Sequence, residues 1–222
     1  MTYVKASVRR PAGNPGNGIQ PKDQLVIYDV DDILSFPQRN DAGVVIEDDI
    51  VMKAGRYAIG IYLTPGTAEI SSNSDGETDA EGYTPSVKFN HPGNEQEIRE
   101  FKTNWLSKKC IVVLRYCSGK PADLIGTPCN PCKLSVSYTG SNESNTNELT
   151  FTQISKGDDI AIYRGTDTLE EPVAVVEAGA TDIDYQTDGQ YQLSAGAAKI
   201  AGVTGGSHGS VITPVSYTHL TL

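Results

Sequence analysis

The sequence predicts a mainly β protein, an antiparallel β-sandwich or barrel with one flanking α-helix and a small β-rich C-terminal appendage. Three observations carry that expectation. Short apolar or alternating runs recur between turn residues over most of the chain. The 22 Gly and 12 Pro of the 222 residues accompany abundant Thr, Ser, Tyr and Val, a mixture that favours strands and turns over helices. Helical periodicity is clear in one segment, residues 94–108.

Composition bounds the function. Hydrophobic residues make up 38% and the mean hydropathy is −0.32, which predicts a soluble globular protein. With 18 basic and 28 acidic residues the net charge is −10, so a surface that repels phosphate is expected and specific nucleic-acid binding is disfavoured. Lys5, Arg9 and Arg10 precede no apolar run, so no signal peptide is read, and no window approaches transmembrane length. Synthesis in a cytoplasm follows as the expectation.

Residues 1–22 hold Lys5, Arg9, Arg10 and Lys22, no acidic residue, and Pro11, Pro15 and Pro21, which predicts an extended basic arm. Strands follow at 25–30, 43–47 and 57–63, separated by turn-rich pieces. Residues 64–84 carry Glu69, Asp75, Glu77, Asp79 and Glu81, no base, and many Ser, Gly and Thr. They read as a long loop that orders only on assembly. A short strand at 86–89 leads to the helix. Asn94 stands where a cap belongs and Glu97 suits the reciprocal position. Ile98, Phe101, Trp105 and Leu106 form its apolar stripe, and Lys108 and Lys109 sit where the helix dipole favours positive charge. A strand at 111–114 precedes a hairpin over 134–154. There Leu134, Val136, Tyr138, Leu149 and Phe151 take one face, and Ser135, Ser137, Thr150 and Thr152 the other. The hairpin tip, 139–148, is polar, and its Asn142-Glu143-Ser144 sequon means little without secretion. A strand at 160–163 closes the main domain, residues 23–165. In the appendage, 166–215, Asp188-Gly189 between alternating runs predicts a tight hairpin.

Candidate chemistry is sparse. Cys129 and Cys132 have the spacing of a zinc-ligand pair. Cys110 and Cys117 bracket an apolar strand at an odd separation, which points them to opposite faces. Buried free thiols are therefore expected, and no metal. Pro131 and the strand pattern after Cys132 argue against a thioredoxin-like motif. His91, His208 and His219 are scattered, and no phosphate-binding or dinucleotide loop occurs. Asp29, Asp31 and Asp32 lack the spacing of a calcium loop and read as exposed strand-end carboxylates. No catalytic or cofactor-binding constellation emerges, so a non-enzyme is expected.

Several segments resemble the major tail tube proteins of tailed bacteriophages, in particular siphophages infecting Bacteroidetes. They are residues 28–33 (Tyr-Asp-Val-Asp-Asp-Ile), 35–37 (Ser-Phe-Pro), 91–98 (His-Pro-Gly-Asn-Glu-Gln-Glu-Ile) and 126–129 (Gly-Thr-Pro-Cys). Residues 149–152 (Leu-Thr-Phe-Thr) and 160–165 (Ile-Ala-Ile-Tyr-Arg-Gly) complete the set. The resemblance implies a structural virion protein that self-assembles into stacked hexameric rings, with other tail proteins as partners. DNA would pass through the lumen without specific binding, and no membrane would be involved. It implies that 64–84 is the stacking loop and 94–108 an inter-subunit helix. Arg9 and Arg10, or Lys108 and Lys109, would then be complements to Glu69, Asp75, Glu77, Asp79 and Glu81. Assembly would occur in the bacterial host cytoplasm. The appendage resembles outward decorations of non-contractile tubes, and residues 216–222 (Ser-Tyr-Thr-His-Leu-Thr-Leu) look like a non-native tail. Another virion component, such as a head-decorating or tail-terminator protein, and a surface adhesin or pilus-like β protein are the competing readings. The adhesin would need a signal peptide or lipid anchor.

Overall fold

The computed structural model describes residues 6–14, 16–18, 20–167 and 169, and four three-residue strands further on. The chain divides into two compact units, Met1–Glu170 and Glu171–Leu222.

The first unit contains strands β1 (Pro21–Asp29), β2 (Ile33–Ser35), β3 (Val45–Ile46), β4 (Val51–Met52), β5 (Ile59–Tyr62), β6 (Glu69–Asp75) and β7 (Gly82–Pro92). Helix α1 (Gln96–Trp105) follows, then β8 (Cys110–Tyr116), β9 (Ala122–Ile125), β10 (Cys132–Gly140), β11 (Asn145–Gln153) and β12 (Ala161–Tyr163). Ten of these strands share one sheet, ordered β3-β12-β9-β8-β10-β11-β7-β6, with β1 beside β8 and β5 beside β1. The β12–β3 pairing is parallel, so the sheet is mixed and not wholly antiparallel. Its path ends at β3 and β6, and no closed barrel forms among the described residues.

Alternation in β1 and β8 explains the layering. Leu25 and Ile27 point one way with Cys110, Val112 and Leu114, whereas Val26 and Tyr28 point the other way with Ile111 and Val113. Both faces of these central strands are thus buried, which is why they read as continuous apolar runs. The larger core lies between them and the inner face of β10, β11 and β7, where Phe89 and Phe151 stack with ring centroids 6.3 Å apart. The smaller core, with Ile46, Ile50, Leu124 and Tyr163, is covered by the small β2–β4 sheet through Ile33 and Met52.

Helix α1 is shorter than the expected 94–108. Its cap is Glu95, without a side-chain cap bond, because Lys102 takes the Asn94 Oδ1 at 2.9 Å and Arg99 its carbonyl at 2.7 Å. Ile98 is buried, and Phe101 and Trp105 pack beside it. Leu106, expected on the same stripe, is 54% exposed. The chain leaves the helix there, and Lys108 turns to pair with Asp29.

Residues 64–84 are not a structureless loop. Glu69–Asp75 pairs in register with Gly82–Lys88 to form the β6–β7 hairpin. Apolar alternation is weak there because Ile70 alone of the β6 side chains packs on the core. The neighbouring β7, anchored by buried Val87 and Phe89, supplies the ladder. The 134–154 hairpin forms with a tighter tip than expected, Gly140 pairing with Asn145.

The second unit holds β13 (Ala174–Val176), β14 (Asp182–Asp184), β15 (Tyr191–Leu193) and β16 (Gly202–Thr204). β13 pairs with β15 and β14 with β16, both parallel. Of the expected hairpin joining 183–187 to 190–193, residues 185–190 lie outside the described residues, as do 216–222; the described parts belong to β14 and β15, which pair with β16 and β13. The expected start of the appendage, residue 166, belongs to the first unit, which runs to Glu170.

Candidate assembly surfaces

The outer face of β10, β11, β7 and β6 follows from alternation. Opposite the core-facing residues stand Lys133, Ser135, Ser137 and Thr139 on β10, and Thr146, Glu148, Thr150 and Thr152 on β11. Thr84, Ser86, Lys88 and Asn90 on β7 and Glu69, Ser71, Asn73 and Asp75 on β6 complete the face. Hydroxyls dominate, and Pro92, at the end of β7 opposite Thr146, is the apolar residue that this face carries among the described residues. Ser71 and Ser86 hydrogen-bond across strands at 3.0 Å, and Lys88 pairs with Glu69 at 3.3 Å. With two lysines against three carboxylates, this face is nearly neutral. The acidity sits elsewhere.

Part of it stands at the β6–β7 tip. Glu77, Asp79 and Glu81 are exposed there, and among the described residues no base pairs with them. Asp79 adopts φ 72°, a left-handed conformation that Asp tolerates better than most residues. Gly76 is required, since a Cβ would lie 2.2 Å from the Ala80 carbonyl oxygen. Asp75 pairs with Lys156 at 3.1 Å, and that lysine and the Gly76 amide hold its carboxyl below the usual range. Of the five nominated carboxylates, Glu69 and Asp75 are thus engaged within the chain. The β10–β11 tip lies at the Pro92 end of β7 and the acidic tip at the Gly82 end, so the two tips mark opposite ends of this four-stranded sheet.

The nominated bases separate. Arg9 and Arg10 are exposed, with Arg10 Nη2 donating to the Gly13 carbonyl at 3.4 Å. Lys108 pairs with Asp29 within the chain and lies over the Trp105 ring at 5.2 Å. Asp29 is 7% exposed and also accepts from the Asp31 amide, which corrects its reading as an exposed strand-end carboxylate. Lys109 is exposed, and its carbonyl accepts from the Val30 amide at 3.0 Å.

Among the described residues β6 pairs only with β7, which leaves its other edge open. Ser72 and Ser74 face Pro85 and Tyr83. Pro85 has no N–H to donate, and Tyr83 exchanges its amide bonds with Gly157 on the far side. The backbone groups of Ser72 and Ser74 therefore point to the open edge. Such an edge is a template for pairing with another strand.

Elsewhere, a groove between α1 and β5 is lined by Ile61, Tyr62, His91, Ile98 and Phe101. Burial pushes the His91 imidazole below its usual range, and its Nδ1 has no hydrogen-bond partner. No group of three metal-ligating side chains converges among the described residues. Cys110 and Cys132 are buried and Cys117 and Cys129 exposed, Cys117 lying just beyond the end of β8.

Sequence reading found the polar face on β10 and β11 but missed its extension, because it recognised only 86–89 of the eleven residues of β7 and read β6 as loop. It also missed Asp167, which accepts the Tyr28 hydroxyl at 2.5 Å and pairs with Arg115. A lone carboxylate near the end of a domain carries no pattern that could have revealed this. Among the described residues, no helix is long and apolar enough to cross a membrane. No protein-family model, curated protein or solved structure matches this chain.

Proposed function

We propose that this protein is a virion structural subunit, the major tail tube protein of a tailed phage, whose copies join into stacked hexameric rings that conduct DNA. One observation carries the reading: a four-strand part of the sheet whose outer face is polar but for Pro92 at its rim, and whose terminal strand, β6, has an open edge among the described residues. The resemblance in residues 23–165 supports it. Copies added edge to edge would extend the polar face into a continuous wall. A hydroxyl-rich, nearly neutral wall gives a sliding duplex few charges to adhere to. The acidic tip at one end of the sheet would serve contacts between rings, with the exposed arm bases Arg9 and Arg10 as complements. Other tail proteins are the further partners, and the virion the final location after assembly in the host cytoplasm.

The edge tests this. Replacing Ser74, which is exposed and whose N–H points away from β7, by Pro removes a donor from the open edge without touching the β6–β7 ladder. The Ser74→Pro chain should remain a folded monomer with an unchanged circular dichroism spectrum and lose assembly. Unimpaired assembly would contradict edge-to-edge joining.

A further inference from the structure

We propose that Cys110 and Cys132 are an oxidisable pair that closes into an internal disulfide, stapling β8 to β10. The two residues face each other in the single register pair that joins these strands. Opposed residues in an antiparallel pair have Cα atoms about 4.5–5.5 Å apart, inside the span that a disulfide bridges. Both side chains enter the same core, both are fully buried, and the Cys110 thiol reaches the Cys132 carbonyl at 3.4 Å. Gly126 (φ 92°) closes the site from the side, since a Cβ there would lie 3.1 Å from the Cys132 Sγ and 3.4 Å from the Cys110 carbonyl oxygen.

The location gives the bond a consequence. Strands β5, β1, β8, β9, β12 and β3 form one part of the sheet and β10, β11, β7 and β6 the other. The Cys110–Cys132 pair is where the ladders of the two parts meet. A covalent link there would fix the seam over the larger core. Burial pushes the Cys110 thiol up to about 12 and raises that of Cys132. Since the thiolate is the reactive form, the pair is held reduced and slow to react in a reducing cytoplasm and closes when the protein meets an oxidant outside it.

A small peroxide suits the buried site. The thiolate of one cysteine attacks hydrogen peroxide, breaking the O–O bond to give a sulfenic acid and hydroxide. The second thiol then attacks the sulfenic sulfur and displaces water. In total, two thiols and one peroxide yield one disulfide and two waters.

The test uses the full chain carrying Cys117→Ser and Cys129→Ser, which removes the two exposed thiols and leaves the core untouched. After incubation with dilute hydrogen peroxide and quenching, the protein is denatured, alkylated and analysed by mass spectrometry. The expected result is a chain lighter by two hydrogens that takes up no alkylating agent, with a crosslinked peptide joining Cys110 to Cys132. Its Tm should rise by about 5 °C or more over the reduced form, and the rise should reverse on treatment with dithiothreitol. Two alkylated cysteines after oxidation, sulfinic acids in place of the crosslink, or a disulfide between chains would each overturn the proposal. This outcome is independent of the assembly reading, because it is measured on the monomer.

Discussion

Asp167 joins three parts of the first unit through one carboxylate. It accepts the Tyr28 hydroxyl from β1 and the Arg115 guanidinium from β8, while Arg115 Nη2 also donates to the Gly165 carbonyl at 2.7 Å. Its side chain is 6% exposed, so removing it strands a partly buried cation and a buried hydroxyl. Asp167→Ala should therefore destabilise the chain by about 3 kcal/mol, read from urea unfolding, whereas Tyr28→Phe should cost about 1 kcal/mol. Equal effects of the two would mean that Arg115 contributes nothing to the network. Asp123 makes a different case. Burial pushes its carboxyl up, with Asp159 adding to the effect and the Tyr116 hydroxyl opposing it. The folded chain holds this proton more tightly than the unfolded chain, so the group's contribution to stability falls as pH rises through the raised pKa. Asp123→Asn keeps an acceptor for Tyr116 and should flatten the pH dependence of Tm between about pH 4 and neutrality without lowering stability at neutral pH. A loss of stability at neutral pH would show that the carboxylate charge is favourable there.

At the scale of elements, legibility tracked whether pairing left a mark on side chains. β10 and β11 were readable because Leu134, Val136, Leu149 and Phe151 alternate with Ser and Thr, which sets both strand and face. β6 was not, because its ladder to β7 uses backbone groups that every residue carries, and an acidic, serine-rich strand resembles a loop. Helix α1 was readable through Ile98, Phe101 and Trp105. Its ends were not, since Lys102 reaches Asn147 and Lys108 reaches Asp29, both far away in sequence, and Lys102 also takes the Asn94 side chain that would have capped the helix. The acidic residues were recognised as a group. What stayed hidden was that Glu69 and Asp75 meet Lys88 and Lys156 within the chain, whereas Glu77, Asp79 and Glu81 at the tip pair with no base among the described residues. Neutralising Glu77, Asp79 and Glu81 to Gln, Asn and Gln should hence leave the monomer's Tm unchanged within about 1 °C, since exposed unpaired charges contribute little. The same change should alter the rate and salt dependence of assembly measured by light scattering. Identical assembly curves would remove the tip from any contact between copies. Gly76→Ala, by contrast, forces a Cβ into the Ala80 carbonyl and should destabilise the tip by more than about 1 kcal/mol.

At the largest scale, the first unit has a two-part core, a polar face on β10, β11, β7 and β6, an open edge at β6 among the described residues, and unpaired carboxylates at the β6–β7 tip. The net charge of −10 does not coat that face. It gathers in part at the β6–β7 tip, so a wall built from the face would release DNA through its lack of adhesive charge. Free protein and assemblies should accordingly show no measurable affinity for duplex DNA at physiological salt. Binding that weakens steeply with added salt would reveal a basic groove inconsistent with this account. The most direct measurement is electron microscopy of the purified full-length protein concentrated under near-physiological conditions. The account predicts long hollow cylinders of uniform diameter with six-fold symmetry in cross-section and the Ser and Thr face of β10, β11, β7 and β6 lining the channel. Protein that stays monomeric at high concentration, or that forms solid fibres or closed shells, would contradict it.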